Sequence, residues 1–231
     1  KEARVEAIRS SMADLRFLGS QERDFLVRND GTQVAVADLA KTSVVGLYFS
    51  AHWCGPCRGF TPELVNVHKE LAAAGKSFEV VFVSSDEDQD AFDGYFGEMP
   101  WLALPYSERA LKESLSEAFE VQGIPTLVLL SGSGEEITRD GREAVGKHGA
   151  SGYPFDEAAF LQAEQAAADK AATLIQELYK SNLFDRVTNA AGEPVKRTEL
   201  ASYESVLLFP SDAGPMAQRV LGLVQSIYKK M

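Results

Sequence analysis

Cysteine is scarce: the 231 residues include two, and both fall in one four-residue segment. A secreted disulfide scaffold spreads its cysteines along the chain in pairs, so this chain is expected in a reducing compartment, cytosol or nucleus. Long apolar runs are missing as well, and none approaches the roughly 20 residues that span a bilayer. The opening Lys1-Glu2-Ala3-Arg4 has no apolar stretch behind it and does not read as a secretory signal. It also lacks an initiator Met, as a processed or truncated piece of a longer chain would. Positive charge is in deficit, with 23 Lys and Arg against 34 Asp and Glu and a net charge of −11. With no basic stripe or arginine-rich arm, nucleic acid is not expected as a direct partner, and the acidity reads as solubility. There is no dinucleotide fingerprint, so any use of nicotinamide is indirect.

What is present is the composition of a globular protein, 45% hydrophobic and 25% charged, long enough for one domain plus an extension or for two. Residues 1–13 read as a polar helix or ragged lead-in, an N-terminal extension. A strand is expected at Phe25–Arg28, with a turn at Asn29-Asp30-Gly31. Val44–Phe49, Phe78–Val83 and Thr126–Leu130 are short β-forming apolar runs, which predict buried strands. Between them lie three helices. The first runs from Gly55-Pro56 to about Ala74, with Leu64, Val67, His68 and Leu71 at helical spacing and Gly75 as its stop. The second carries Phe92, Tyr95 and Phe96, and the third spans about Ser107–Phe119. Ser131-Gly132-Ser133-Gly134 turns into Glu135–Thr138 as a hairpin. This order predicts an α/β fold with a mixed central sheet over residues 14–155.

After Tyr153-Pro154 the alanine-rich stretch 156–180 predicts one long linking helix. The tail, 181–231, looks like a second copy of the opening of the first module. Leu47-Tyr48-Phe49 matches Leu207-Leu208-Phe209, and Gly55-Pro56-Cys57 matches Gly214-Pro215-Met216. The copy has no cysteine and breaks off before its remaining strands, which makes it a partial, redox-inactive module; a chance strand–helix likeness is the alternative.

The chemistry sits in Trp53-Cys54-Gly55-Pro56-Cys57. A helix N-terminus presents unpaired N–H groups and partial positive charge, so a cysteine there ionises more easily than a free one, and the thiolate is the attacking species. Cys57, three residues on, is close enough to close a small disulfide ring. Cys54 is expected to attack a target disulfide and Cys57 to resolve the mixed disulfide. Pro56 suits a helix start, and Trp53 offers a flat apolar surface to a substrate chain. Zinc is the alternative use of such a pair, but it needs four ligands. His52 is adjacent, whereas His68 and His148 are distant and isolated, so no metal is expected.

Gly123-Ile124-Pro125-Thr126 stands just before the third strand. A proline there is expected to have a cis bond, turning the backbone of Ile124 outward beside Cys54 to pair with an extended substrate segment; an ordinary trans proline at the strand start is the alternative. The run Asp86-Glu87-Asp88-Gln89-Asp90 lacks the spacing and glycine of a calcium loop and reads as helix capping by Ser85 or Asp86. His68 reads as structural.

These residues resemble the thioredoxin superfamily, and within it the tryparedoxins and nucleoredoxins. Tyr48-Phe49-Ser50-Ala51-His52-Trp53-Cys54 with Arg58 looks like the nucleoredoxin active-site block, although that family more often has Pro where this chain has Gly55. Phe78–Asp86, Met99–Tyr106 and Ile137–Arg142 are similar to further family blocks, and the likeness covers about residues 20–155. It implies a thioredoxin fold, protein-disulfide reduction with Cys54 attacking and Cys57 resolving, and a cis Pro125. Compared with ordinary thioredoxins, Tyr48 replaces a buried acidic residue six positions before the attacking cysteine. Proton transfer at Cys57 then has to use water or another group.

The expected function is therefore a protein-disulfide reductase with no bound cofactor beyond the Cys54–Cys57 disulfide. Its electrons come from NADPH or glutathione through another protein. Its partners are disulfide-bearing clients and an upstream reductase or dithiol donor, with no membrane involved. A redox-sensitive adaptor that holds a partner through its tail is the alternative. An oxidase or isomerase would require an oxidising compartment that nothing in the sequence indicates.

Overall fold

The computed structural model describes residues 2–10, 14–20 and 23–180, without the side chains of 171–172 and 174–180. The partial module expected at 181–231 lies outside the described residues.

Seven strands form one mixed sheet among the described residues: β1 Phe25–Val27, β2 Gln33–Ala35, β3 Val44–Ser50, β4 Phe78–Ser84, β5 Leu102–Ala103, β6 Thr126–Ser131 and β7 Glu136–Thr138. Their spatial order is β2-β1-β5-β4-β3-β6-β7. β3 runs parallel to β4, and β4 to β5, while β3–β6 and β6–β7 are antiparallel. The helices are α1 Glu2–Ser10, α2 Gly55–Ala73, α3 Gln89–Phe96, α4 Arg109–Ala118, α5 Gly141–His148 and α6 Glu157–Lys180. Among the described residues there are also three short 3₁₀ turns, at Leu15–Leu18, Val36–Lys41 and Gly149–Gly152.

All seven residues of β3 are buried, which explains its unbroken apolar sequence: helices cover both faces, so the alternation of an exposed strand is lost. The alternation survives in where the side chains go. Val45, Leu47 and Phe49 join Val81, Val83, Val128 and Leu130 in a core with α1 and α4. Val44 and Tyr48 face the other way, with Val80, Phe82, Leu127 and Leu129, into a core with α2, α3 and α5. The N-terminal helix contributes Val5 and Ile8 to the first core. Burying such side chains contributes about 1.5–3 kcal/mol each.

The strands and helices predicted from Phe25 to Lys180 stand within a residue or two of their expected bounds, the β6–β7 hairpin forms, and the lead-in contains the shorter helix α1. Two strands and one helix, β2, β5 and α5, were not anticipated, and neither were the three 3₁₀ turns. The cap of α3 also differs from expectation. Asp88 accepts the Ala91 N–H at 2.8 Å, so neither Ser85 nor Asp86 is the cap. The sheet-bearing unit ends at Ala163; α6 continues beyond it to Lys180. No described helix is long and apolar enough to cross a membrane.

Candidate active site

β3 ends at Ser50 and α2 begins at Gly55, so residues 51–54 form the junction at the end of the central strand. Cys54 is the N-cap residue of α2, in extended backbone conformation, and its sulfur accepts the Cys57 N–H at 3.3 Å. This is the arrangement in which a helix N-terminus stabilises a thiolate. Pro56 occupies the first turn, where its missing N–H costs nothing. Cys54 and Cys57 are joined as a disulfide, with Cα atoms 5.2 Å apart. Cys54 is 6% exposed and Cys57 fully buried, so a partner meets Cys54 first.

Ile124–Pro125 is cis, as expected from the sequence, and a second cis bond joins Tyr153 to Pro154. The carbonyl oxygen of Ile124 lies 3.6 Å from Cys54 Sγ, so this loop forms the other wall of the site. Ala51, the two cysteines and Ile124 make a small apolar cluster around the sulfurs. Trp53 is 58% exposed beside them, and its indole N–H donates to the Ser85 carbonyl at 3.0 Å, which orients the ring. Gly55 is exposed, with open space where a Cβ would stand. Next to the Ile124 loop, an open groove of about 470 Å³ is lined by Val121, Gln122, Ile124, Thr126, Arg139 and Arg142, among others.

Sequence reasoning brought together Trp53, Cys54, Gly55, Pro56, Cys57, Ile124 and Pro125, and all seven lie around the two sulfurs. It missed two supporting sets. The first is the turn after β4. The buried Asp86 carboxylate accepts the His52 N–H at 2.7 Å and the Ser84 hydroxyl at 2.7 Å. Arg109, stacked on Tyr106, donates to the Ser84 carbonyl at 2.6 Å. The second is a group of hydroxyls behind Cys57. Tyr48, Ser50, Thr61 and Tyr95 are all buried and bonded to one another. Tyr48 was singled out in the sequence, but its partners come from two helices and the far end of its own strand, and no spacing rule connects them. Burial pushes the Tyr48 hydroxyl far above its ordinary pKa, although its Ser50 and Thr61 partners pull the other way.

His68 packs against Phe78 and Trp101, away from the sulfurs, in keeping with a structural part. Among the described residues, no three His, Cys, Asp or Glu side chains are grouped so as to hold a metal ion.

A family model described as thioredoxin-like matches residues 42–136. Native tryparedoxin I from Crithidia fasciculata is 42% identical, with a TM-score of 0.53, over 56% of this chain and 89% of its own. The chain belongs to the nucleoredoxin and tryparedoxin group of the thioredoxin superfamily. Probable nucleoredoxin 1 of Arabidopsis thaliana is 42% identical over 194 residues, 83% of this chain and 33% of that protein. Human nucleoredoxin is 48% identical over 120 residues, 52% of this chain and 27% of that protein. The chain thus matches about a third of the length of these curated nucleoredoxins. Within this nucleoredoxin-type domain, the helix-capping cysteine, the buried partner and the facing cis-proline loop form one site with the geometry that dithiol–disulfide exchange requires.

Proposed function

We propose that this domain reduces protein disulfides, with Cys54 as the attacking thiolate and Cys57 as the resolving one. The observation that carries the reading is the position of Cys54: it caps α2, faces the Ile124 carbonyl, and is the more exposed of the two sulfurs. The Cys54 thiolate attacks one client sulfur. The client S–S bond breaks, its second sulfur leaves with the electron pair and takes up a proton, and a mixed disulfide forms. Cys57 then loses its proton and attacks Cys54 Sγ. The first client sulfur leaves as a thiolate and is protonated, and the Cys54–Cys57 disulfide forms. The client gains two electrons and the domain loses two.

Trp53, Gly55, Pro56, Ile124 and Pro125 are the client-contacting surface in this reading. The backbone of Ile124 pairs with an extended client segment, and the adjoining groove receives the segment as it leaves. An upstream reductase or dithiol donor, supplied in turn by NADPH or glutathione, regenerates the dithiol. The compartment is the cytosol or nucleus, which the sparse cysteine supports. The organisation in this reading is a redox domain at 14–155, an N-terminal extension at 1–13 whose helix packs on its core, a linking helix at 156–180 and a cysteine-free second segment at 181–231.

The test is reduction of insulin disulfides driven by dithiothreitol. Wild-type protein accelerates it and the Cys54→Ser variant does not; equal rates would refute the proposal.

A further inference from the structure

We infer that Thr61 is a positioning residue for Cys57, acting through a closed ring of four buried hydroxyls that grips the first turns of α2. This inference rests on the reading of Cys57 as the resolving thiol.

The ring is complete. Tyr48 Oη lies 2.8 Å from Thr61 Oγ1, Thr61 Oγ1 lies 2.5 Å from Tyr95 Oη, Tyr95 Oη lies 3.2 Å from Ser50 Oγ, and Ser50 donates to Tyr48 Oη at 3.0 Å. Two further contacts leave the ring for a single atom. The Cys57 carbonyl oxygen faces the Thr61 hydroxyl at 3.0 Å and the Tyr48 hydroxyl at 3.4 Å. Thr61 therefore joins the cysteine's own backbone to β3 through Tyr48 and to α3 through Tyr95.

A threonine bonding back to the carbonyl four residues earlier is common in helices and mildly unfavourable. Here the helix has a reason to need outside support. Pro62 stands inside α2 and has no N–H, so the carbonyl of Arg58, next to Cys57, loses its usual helical donor. The turn that carries Cys57 is thus held less by its own helix, and side chains from the sheet and α3 supply the grip. Four hydroxyl protons fill four of the six contacts at once: with Thr61 donating to the Cys57 carbonyl, Tyr48 and Tyr95 donate to Thr61 and Ser50 donates to Tyr48, so every hydroxyl keeps a partner. With burial opposing ionisation of Tyr48, the ring acts on Cys57 by position and dipole rather than by charge.

A thiolate that must approach Cys54 Sγ in line is sensitive to small displacements of its backbone. The test is the release of a client thiol from a mixed disulfide preformed on Cys54, followed by rapid quench and mass spectrometry across the pH range in which a thiol ionises. Thr61→Val keeps the shape and removes the hydroxyl. It is expected to slow release about tenfold, with a smaller effect on mixed-disulfide formation in the Cys57→Ser background, while Thr61→Ser restores release to within about threefold. The pH profile keeps one rise, that of the Cys57 thiol, in every variant. Should Thr61→Val not fold, Tyr95→Phe removes two ring contacts while keeping the Thr61 bond to Cys57, and is expected to slow release about threefold.

Release at the wild-type rate in Thr61→Val, or in Tyr95→Phe where that variant is used, overturns the inference. So does an equal loss in Thr61→Ser and Thr61→Val, because the methyl packing would then be what matters. If client thiol is released normally without Thr61, the disulfide-reductase reading stands and only this inference falls. If Cys54 forms no mixed disulfide at all, both fall.

Discussion

The Asp86 carboxylate accepts the backbone N–H of His52 across 2.7 Å, tying the turn after β4 to the loop that delivers Cys54. Asp86 is 4% exposed and also accepts the Ser84 hydroxyl, so both contacts are sheltered from water. Replacing Asp86 by Ala leaves the His52 N–H and the Ser84 hydroxyl without this partner. The expected cost is about 1–3 kcal/mol of folding stability, read as a lower urea midpoint. A slower first attack on a client disulfide is expected with it. An unchanged midpoint would mean that the loop is held by other contacts.

Trp53 is held at its edge by Ser85 and presents its face to solvent. Trp53→Ala therefore removes the proposed docking surface without opening the core. The expected result is a higher KM for a protein disulfide, with the reduction of a small aromatic disulfide and the thermal midpoint changed little. Equal losses on both substrates would assign Trp53 to the chemistry at Cys54 instead.

Much of this arrangement was legible in the sequence because the deciding signals are local. An apolar β-forming run followed by Trp53-Cys54-Gly55-Pro56-Cys57 specifies a strand, a junction and a helix start, and Ile124-Pro125 before Thr126–Leu130 specifies the facing loop. The elements that escaped have weak local signals. β5 is two residues long, between Pro100 and Pro105, and has meaning only beside β4 and β1. β2 is an edge strand whose residues are largely exposed, so it carries no apolar pattern. α5 contains Gly141 and Gly146, which lower helix propensity. Gly141 is required by packing: a Cβ there would stand 2.6 Å from the Leu127 carbonyl oxygen. The Asp86 clamp and the hydroxyl ring join residues far apart in the chain. The acidic run from Asp86 to Asp90 concealed two different jobs, Asp86 holding the active-site loop and Asp88 capping α3.

His68 sets a pH dependence of stability. Burial, assisted by the nearby Arg28 cation, lowers its pKa below the ordinary 6.5. Its contact with Glu79, at 3.9 Å, is too long for a hydrogen bond and does not reverse this. As pH falls through 6.5 the unfolded chain takes up the proton while the folded chain resists, so stability drops from there down to the folded-state pKa. Burial raises the Glu79 pKa above 4.5, which has the opposite sign: stability rises as pH falls through the raised value toward 4.5. His68→Gln is expected to lose less stability than wild type when denaturant midpoints are compared just above and just below pH 6.5. An identical loss in the two proteins would show that His68 protonates equally in both states.

The most direct test of the account is the fate of the Cys57→Ser protein, in which Cys54 retains its helix cap and the sulfur proposed to resolve is gone. After reduction and exposure to a disulfide-bearing client, mass spectrometry is predicted to find a stable adduct linked through Cys54, and none on the Cys54→Ser,Cys57→Ser protein. Absence of any adduct on Cys54 under conditions where the wild-type protein reduces the same client would contradict the assignment of Cys54 as the attacking group.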